Sequence, residues 1–158
     1  MSIEFGLNAF TSYIVGINHI NEEGVNRAQL IRDYLSQRVP KDHLYSGYSD
    51  QDILSESFYY SDKIFKYSLE EISTIELKIE EDNPFDDKPV KVYHKHIGGM
   101  GYIPAIHKEM VKYMVENQRL VYIELRFEGG EYKTLSNDKT KVEEGVCPLE
   151  LKLNIYYQ

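Results

Sequence analysis

Between Glu80 and Ile106 the chain reads EEDNPFDDKPVKVYHKHIGGMGYIPAI, and this stretch narrows the available folds more than any other. Asn83 precedes a proline, so it is held out of the α region. Pro84 fixes φ, and Asn83-Pro84-Phe85-Asp86 reads as a type I turn with Asp86 near its exit. Before the turn, Ile75-Glu76-Leu77-Lys78-Ile79 alternates apolar and charged side chains, the period of a strand with one buried face. After it, Val90 and Val92 alternate with Lys91 and Tyr93 in a second strand. His96-Ile97-Gly98-Gly99 turns the chain back, and Gly101-Tyr102-Ile103 is a third short strand. Pro104 then opens a helix, where its missing N–H leaves no bond unmade. Phe85 and Asp86 therefore stand at the tip of a strand–turn–strand, an aromatic face beside a carboxylate.

Elsewhere the patterns are those of a mixed fold. Met1 to Phe10 can pair at a sheet edge or fray. Tyr13 to Ile17 is a β-branched run, read as the first strand with a bulge at Gly16. Asn26 is an N-cap for a helix through about Gln37, with Leu30, Ile31, Tyr34 and Leu35 on one face and Arg27, Arg32 and Asp33 off it. A second helix runs from Pro104 to near Asn117, its inner face marked by Ile106, Met110, Val111 and Met114. Val121 to Glu128 alternates as a strand, Gly129-Gly130 reads as a hairpin turn, and Glu131 to Leu135 returns. A polar loop over 136–145 precedes a last strand over 149–155. About seven short strands and two helices predict a β-rich α+β domain, of the kind that closes into a small barrel or sandwich.

The chain has 158 residues, enough for one domain with a core of its own, and one domain is the expectation. Arg38 to Ser68 stands apart. Tyr45, Tyr48, Phe58, Tyr59, Tyr60, Phe65 and Tyr67 are interleaved with Ser, Asp and Lys, with a short helix at Asp50 to Ser57 as its one regular element. Seven aromatics are too many for a flexible linker. This insertion is expected to fold back on the domain, with Phe58, Tyr60 and Phe65 largely buried.

The net charge is −8. That excludes strong non-specific binding to nucleic acid, which requires Lys and Arg to neutralise phosphates. A nucleic-acid site must be a local basic patch on an acidic body. The single cysteine, Cys147, excludes an internal disulfide framework and fits a reducing compartment. No stretch has the basic start and apolar core of a signal peptide, and no run is long enough to cross a bilayer, so a cytoplasmic setting is expected.

Catalytic and metal readings find little support in the residues. His94 and His96 point to one face of a strand, but a metal needs three or four ligands, and two exposed strand histidines is the simpler reading. Asp86 and Asp87 lack a neighbouring nucleophile and base. Gly98-Gly99-Met100-Gly101 is not a phosphate loop, because no Gly-Lys-Ser/Thr follows. A binding module without cofactor or metal, rather than an enzyme, is expected.

The Glu-Glu-Asp-Asn-Pro-Phe-Asp run, then Val-Lys-Val, then Gly-Tyr-Ile-Pro and a helix, closely resembles the HIRAN domain. A second block matches as well: Ile14-Val15-Gly16-Ile17-Asn18-His19, followed by Glu23-Gly24-Val25-Asn26-Arg27 and Ile31. Together the blocks cover about half of the chain, and the long gap between them is the main departure. The family occurs at the front of fork-remodelling helicase-like ATPases and as free-standing bacterial or phage proteins. The resemblance implies a compact barrel of six to seven strands, distantly OB-like, with two flanking helices. It also implies capture of the free 3′ end of single-stranded DNA. In that role Asp86 bonds the terminal 3′ hydroxyl, Phe85 packs on the terminal nucleotide, and His19 lines the pocket, with Asn83 and Tyr102 in the matching motifs. A lysine that grips phosphate in the family falls at Ala105 here, and Lys108 stands one turn along. A further aromatic on a later strand corresponds to Phe127 or Tyr132.

Two function classes follow. The first is a binder of single-stranded DNA ends in phage or bacterial replication, repair or recombination. The second is an acidic, tyrosine-rich protein–protein module, a DNA mimic or inhibitor, with the same barrel as scaffold. A basic rim around Phe85, drawn from Lys88, Lys91, Arg126 and Lys133, would support the first, and a uniformly acidic barrel the second. If Phe85 stacks on a nucleotide, Phe85→Ala weakens strand binding by roughly 1–3 kcal/mol with little change in melting temperature. If it is a core residue, the same change costs roughly 3–5 kcal/mol of stability. A melting curve beside a binding curve separates the two.

Overall fold

The structure is a computed structural model and describes residues 6–19, 24, 26–55, 62–84 and 87–158. It is an α+β fold rich in strand. The elements run β1 (Asn8–Tyr13), α1 (Arg27–Arg38), α2 (Asp50–Ser55), β2 (Ile64–Phe65), β3 (Leu69–Ile72) and β4 (Ile75–Ile79). There follow β5 (Val90–His94), β6 (Gly98–Tyr102), α3 (Ala105–Glu116), β7 (Leu120–Leu135) and β8 (Val142–Tyr157). One sheet has the order β1-β8-β7-β2 with β3 also on β7, and the other is β4-β5-β6. Among the described residues no pairing closes these sheets into a barrel.

The chain divides into two compact units. One comprises Met1–Arg32, Glu70–Arg126 and Leu151–Gln158, and the other Asp33–Leu69 and Phe127–Glu150. The expected insertion over 38–68 is thus most of a unit, completed by the distal halves of β7 and β8.

In the first unit, β4 and β5 pair antiparallel from Ile75↔His94 to Ile79↔Val90, as the alternation requires. Val90, Val92, Met100 and Leu77 turn inward and are buried. The edges of the two sheets approach at Ile14 and Val15. The Ile14 N–H donates to the Leu151 carbonyl at 3.0 Å, and Val15 and Tyr102 exchange two backbone bonds of 2.9 Å. Gly101 makes this approach feasible, because a Cβ there would stand 2.2 Å from the Val15 carbonyl oxygen. The β-branched run expected as the first strand therefore contributes one bridge at Val15, and the ladder lies earlier, where Asn8–Tyr13 pairs with β8.

Helix α1 begins as expected, with Asn26 Oδ1 accepting from the Gln29 N–H at 3.2 Å. Helix α3 differs in phase. Val111 and Met114 are buried, but Ile106 is 76 % exposed and Met110 40 %. The inward stripe is His107, Val111 and Met114, at the same spacing one position later, and His107 Nδ1 lies 2.7 Å from Ser12 Oγ on β1. Periodicity alone does not choose between two apolar stripes one residue apart.

The two expected exposed histidines also divide. His94 is buried. Its Nδ1 accepts the backbone N–H groups of His96 and Ile97 at 3.0 and 3.2 Å, so Nε2 carries the proton and donates to Glu71 Oε1 at 2.7 Å. A structural hydrogen bond at the end of β5 replaces the exposed pair. Among the described residues no three His, Cys, Asp or Glu are grouped to hold a metal, and no helix is long and apolar enough to cross a membrane.

The second unit is built on Ile53, Ile64 and Leu135, with Tyr45 and Val142 packed against them. Asp50–Ser55 is the short helix expected there, capped reciprocally by Ser49 and Asp52. Phe65 is half-buried, and Phe58 and Tyr60 lie outside the described residues. Gly129-Gly130 is not a hairpin. Both residues have positive φ within continuous β7, and a Cβ at Gly129 would stand 2.1 Å from the Pro148 carbonyl oxygen. The pair bends the strand where another backbone crosses close by, and the reversal comes at Ser136–Lys141 instead. There Asp138 Oδ1 accepts from Thr140 Oγ1, Ser136 Oγ and the Thr140 N–H, at 2.7, 2.8 and 3.1 Å. These bonds, the Thr140 hydroxyl first, hold the Asp138 carboxyl down from 3.8 to about 2.

A carboxyl depressed on folding contributes stability that is complete above its unfolded value and is lost as the pH falls through its folded one. Asp138→Asn removes this contribution. The melting-temperature gap between wild type and variant is expected to be constant above about pH 4 and to close toward about pH 2. A gap independent of pH would mean that the charge plays no part in the turn.

Candidate nucleic-acid interface

The turn between β4 and β5 is anchored from its base. The Glu80 N–H donates to the Pro89 carbonyl at 2.8 Å, which closes the hairpin one residue beyond the ladder. The Glu80 side chain continues the outward parity of Glu76 and Lys78 and lies over the outer face of β4-β5-β6. Its Oε1 accepts from Asn83 Nδ2 at 2.6 Å and from the Tyr102 hydroxyl at 3.2 Å, and its Oε2 lies 3.9 Å from Lys91 Nζ. Asn83, which the turn places beside Pro84, is thus tied to β6 through one carboxylate. The Lys91 side chain is 4 % exposed and the Glu80 side chain 30 %. A buried ammonium needs such a partner, and the tyrosine hydroxyl and asparagine amide leave the carboxylate well satisfied.

Tyr102 carries the network further. Its register partner on β5 is Lys91, and the Arg27 guanidinium lies 5.8 Å from its ring centroid. Burial, then the Glu80 carboxylate, hold the Tyr102 phenol above its ordinary range, while Arg27 pulls in the opposite sense. Arg27 is 6 % exposed. Its Nη1 donates to the Gly16 carbonyl at 3.2 Å, and its Nε is buried without a hydrogen-bond partner among the described residues. Gly16, at φ +83°, faces this group. A Cβ there would meet His19 Cδ2, Arg27 Nη1 and Tyr102 Cδ2 at 3.6, 3.7 and 3.9 Å. On the other side of the turn, Lys108 Nζ donates to the Asp87 carbonyl at 3.0 Å, which ties the first turn of α3 to the loop.

Four of the residues singled out from sequence therefore border one region. Asn83 and Tyr102 meet on Glu80, His19 is exposed beside Tyr102 and Arg27, and Lys108 holds the loop next to Asp87. Phe85 and Asp86 lie outside the described residues. Phe127 does not belong to the group: it is 1 % exposed in the second unit, with its ring 6.1 Å from that of Tyr34. Its inward parity on β7, shared with Ile123 and Leu125, makes it a core side chain. Tyr132 is likewise in the second unit, where Lys63 Nζ lies 5.0 Å from its ring centroid. The expected basic rim is also redrawn. Lys88, paired with Glu81 at 3.6 Å, and Lys91 border the turn, whereas Arg126 pairs with Glu70 at 2.8 Å and Lys133, in the second unit, with Asp50 at 2.8 Å.

Sequence reasoning missed Glu80 and Arg27. A signal existed for each. Arg27 stands at i of an i, i+4, i+7 stripe with the buried Ile31 and Tyr34. Glu80 has the strand parity of Lys78 and stands three residues before Asn83. Comparisons of the chain with family models, with curated proteins and with solved structures find no match.

If the Tyr102 hydroxyl holds Glu80, Tyr102→Phe is expected to cost about 1.5 kcal/mol of stability, a charged hydrogen bond of modest burial. It should also change the NMR signals of the Asn83 side-chain amide, two bonds away in the network. An unchanged amide would show that Glu80 holds Asn83 independently of Tyr102.

Proposed function

We propose that this chain is a HIRAN-like binding module, not an enzyme, that captures the free 3′ end of single-stranded DNA in phage or bacterial replication or repair. The observation that carries the reading is the convergence on Glu80. One carboxylate gathers Asn83 of the turn and Tyr102 of β6, two positions the resemblance assigns to the site from separate motifs. At the surface around them stand two cations that a phosphate can use, Lys88 and Lys108, with Lys91 and Arg27 buried behind, on a chain whose net charge is −8. Asp86 supplies selectivity in this reading. A carboxylate beside phosphates is unfavourable unless it accepts a hydrogen bond from a hydroxyl, so it prefers a free 3′ hydroxyl to a continuous strand or a 3′ phosphate. Phe85 supplies stacking, and a base on an aromatic contributes roughly 1–3 kcal/mol.

The finer architecture belongs to the same proposal. A small OB-like barrel is supported by the order of neighbours β4-β5-β6, Val15, β1, β8, β7 and β3, in which β3 leads into β4 through a tight turn at Ser73. A cytoplasmic setting is part of the reading too. A second reading, an acidic protein-interaction module, is favoured by one feature: Ile106, Met110 and Tyr113 form an exposed stripe on α3.

Fluorescence anisotropy at low salt with two otherwise identical oligonucleotides tests the first reading. The strand with a free 3′ hydroxyl is expected to bind at least about tenfold tighter than the strand with a 3′ phosphate, a difference of about 1.4 kcal/mol. Asp86→Ala should erase the preference. Equal affinity of the wild type for the two ends would remove Asp86 from this role and leave the protein-partner reading.

A further inference from the structure

The register of the three-stranded sheet lines up a second set of groups on its outer face. Lys78 pairs with Lys91, and Glu76 with Tyr93. The Tyr93 ring centroid lies 5.1 Å from Lys78 Nζ and 5.0 Å from Lys91 Nζ, so one aromatic ring is attended by two ammonium groups. Lys91 is fixed by its burial, whereas the Lys78 side chain is 58 % exposed and paired only loosely with exposed Glu76 at 3.8 Å. Such a surface pair contributes little and can exchange its carboxylate for another anion.

Beyond Tyr93, at the end of β4 and β5 away from the turn, lies a cavity of 580 Å³. Ser73, Thr74, Lys78, Tyr93 and Lys95 are on its walls, with exposed Glu76 beside Lys78. The Thr74 hydroxyl is buried without a hydrogen-bond partner among the described residues. Lys95 is exposed and has no ion-pair partner among the described residues. A cavity of this size falls in the range that holds a small ligand. Hydroxyl donors, two mobile lysines and an aromatic face are the combination that a phosphodiester and its base require. An acidic peptide would use the lysines but would have no need of the ring.

We propose that this face is a strand track: single-stranded nucleic acid runs from the turn across β4 and β5, with one base on Tyr93 and its phosphate held by Lys78, Lys95 and the Thr74 hydroxyl. The inference rests on the reading of the chain as a single-strand binder and adds the path of the strand to the capture of its end. The far end of the cavity and the turn are separated by the length of β4, about 15 Å. Tyr93 stands between them, its ring centroid 5.0 Å from Lys91 Nζ, which lies 3.9 Å from Glu80. A mononucleotide held at the turn therefore falls short of the cavity, and a longer strand reaches it.

Anisotropy with a mononucleotide and with a longer single strand, both ending in a free 3′ hydroxyl, tests the track. Tyr93→Ala and the exposed double variant Lys78→Glu, Lys95→Glu are compared with wild type. Each is expected to weaken the longer strand at least about tenfold, to leave the mononucleotide unchanged, and to preserve the preference for a hydroxyl over a phosphate end. The double variant should also flatten the salt dependence, since two phosphate contacts are lost. Unchanged affinity for the longer strand, with end preference intact, would overturn the track and leave end capture standing. Loss of the longer strand in the variants, with no end preference in wild type, would uphold the track and overturn end capture. Equal binding of a polyglutamate peptide and the longer strand, insensitive to Tyr93→Ala, would overturn the track in favour of an acidic protein partner.

Discussion

The arrangement of the first unit around its polar face depends on the carboxylate of Glu80. It accepts from Asn83 and Tyr102 and lies beside an almost wholly buried lysine. Remove the charge and the almost wholly buried Lys91 loses a neighbouring carboxylate, and truncating one partner of a buried pair is far costlier than the pair itself is favourable. The same carboxylate fixes where the Asn83-Pro84 turn stands relative to β6. A turn tip is ordinarily the most mobile part of a hairpin. Here its first residue, Asn83, is held by a side chain that is itself held from the opposite edge of the sheet.

Much of this was legible from the chain. The strand–turn–strand over Ile75–His94 follows from alternation and from the restriction that Pro84 places on Asn83. The cap at Asn26 and the helix at Asp50 follow from side-chain chemistry that acts over three or four residues. What failed was long-range. The Gly129-Gly130 pair has the local signature of a hairpin, yet glycine is required there for a close backbone crossing at Pro148, which no local rule contains. The face that α3 turns inward carries His107, Val111 and Met114, and His107 meets Ser12, 95 residues away in sequence, which no local pattern contains. Strand alternation already puts Phe127 on one face with Ile123 and Leu125, and its site role came from the resemblance alone. Arg27 and Glu80 have the period of their elements, but only the fold brings their partners to them.

The division into two units gives the aromatic-rich segment a different meaning. Asp33–Leu69 buries Ile53 and Ile64 on Leu135, with Tyr45 packed against them, so the segment has a core of its own. Tyr45 illustrates it: the residue sits at φ +54°, unusual for a bulky side chain, and its ring lies 4.3 Å from Lys133 Nζ. On the three-stranded sheet the two signs of charge are interleaved: Lys78 pairs with Glu76 and Lys91 with Glu80, while Lys95 is exposed.

An NMR titration that follows the Asn83 side-chain amide and the Tyr102 ring addresses the site itself. A short single strand with a free 3′ hydroxyl should shift both signals with one midpoint, because Glu80 joins the two groups, and the same strand ending in a 3′ phosphate should leave them in place. Saturable binding of the strand with both signals unmoved would contradict the assignment of this turn as the point of capture.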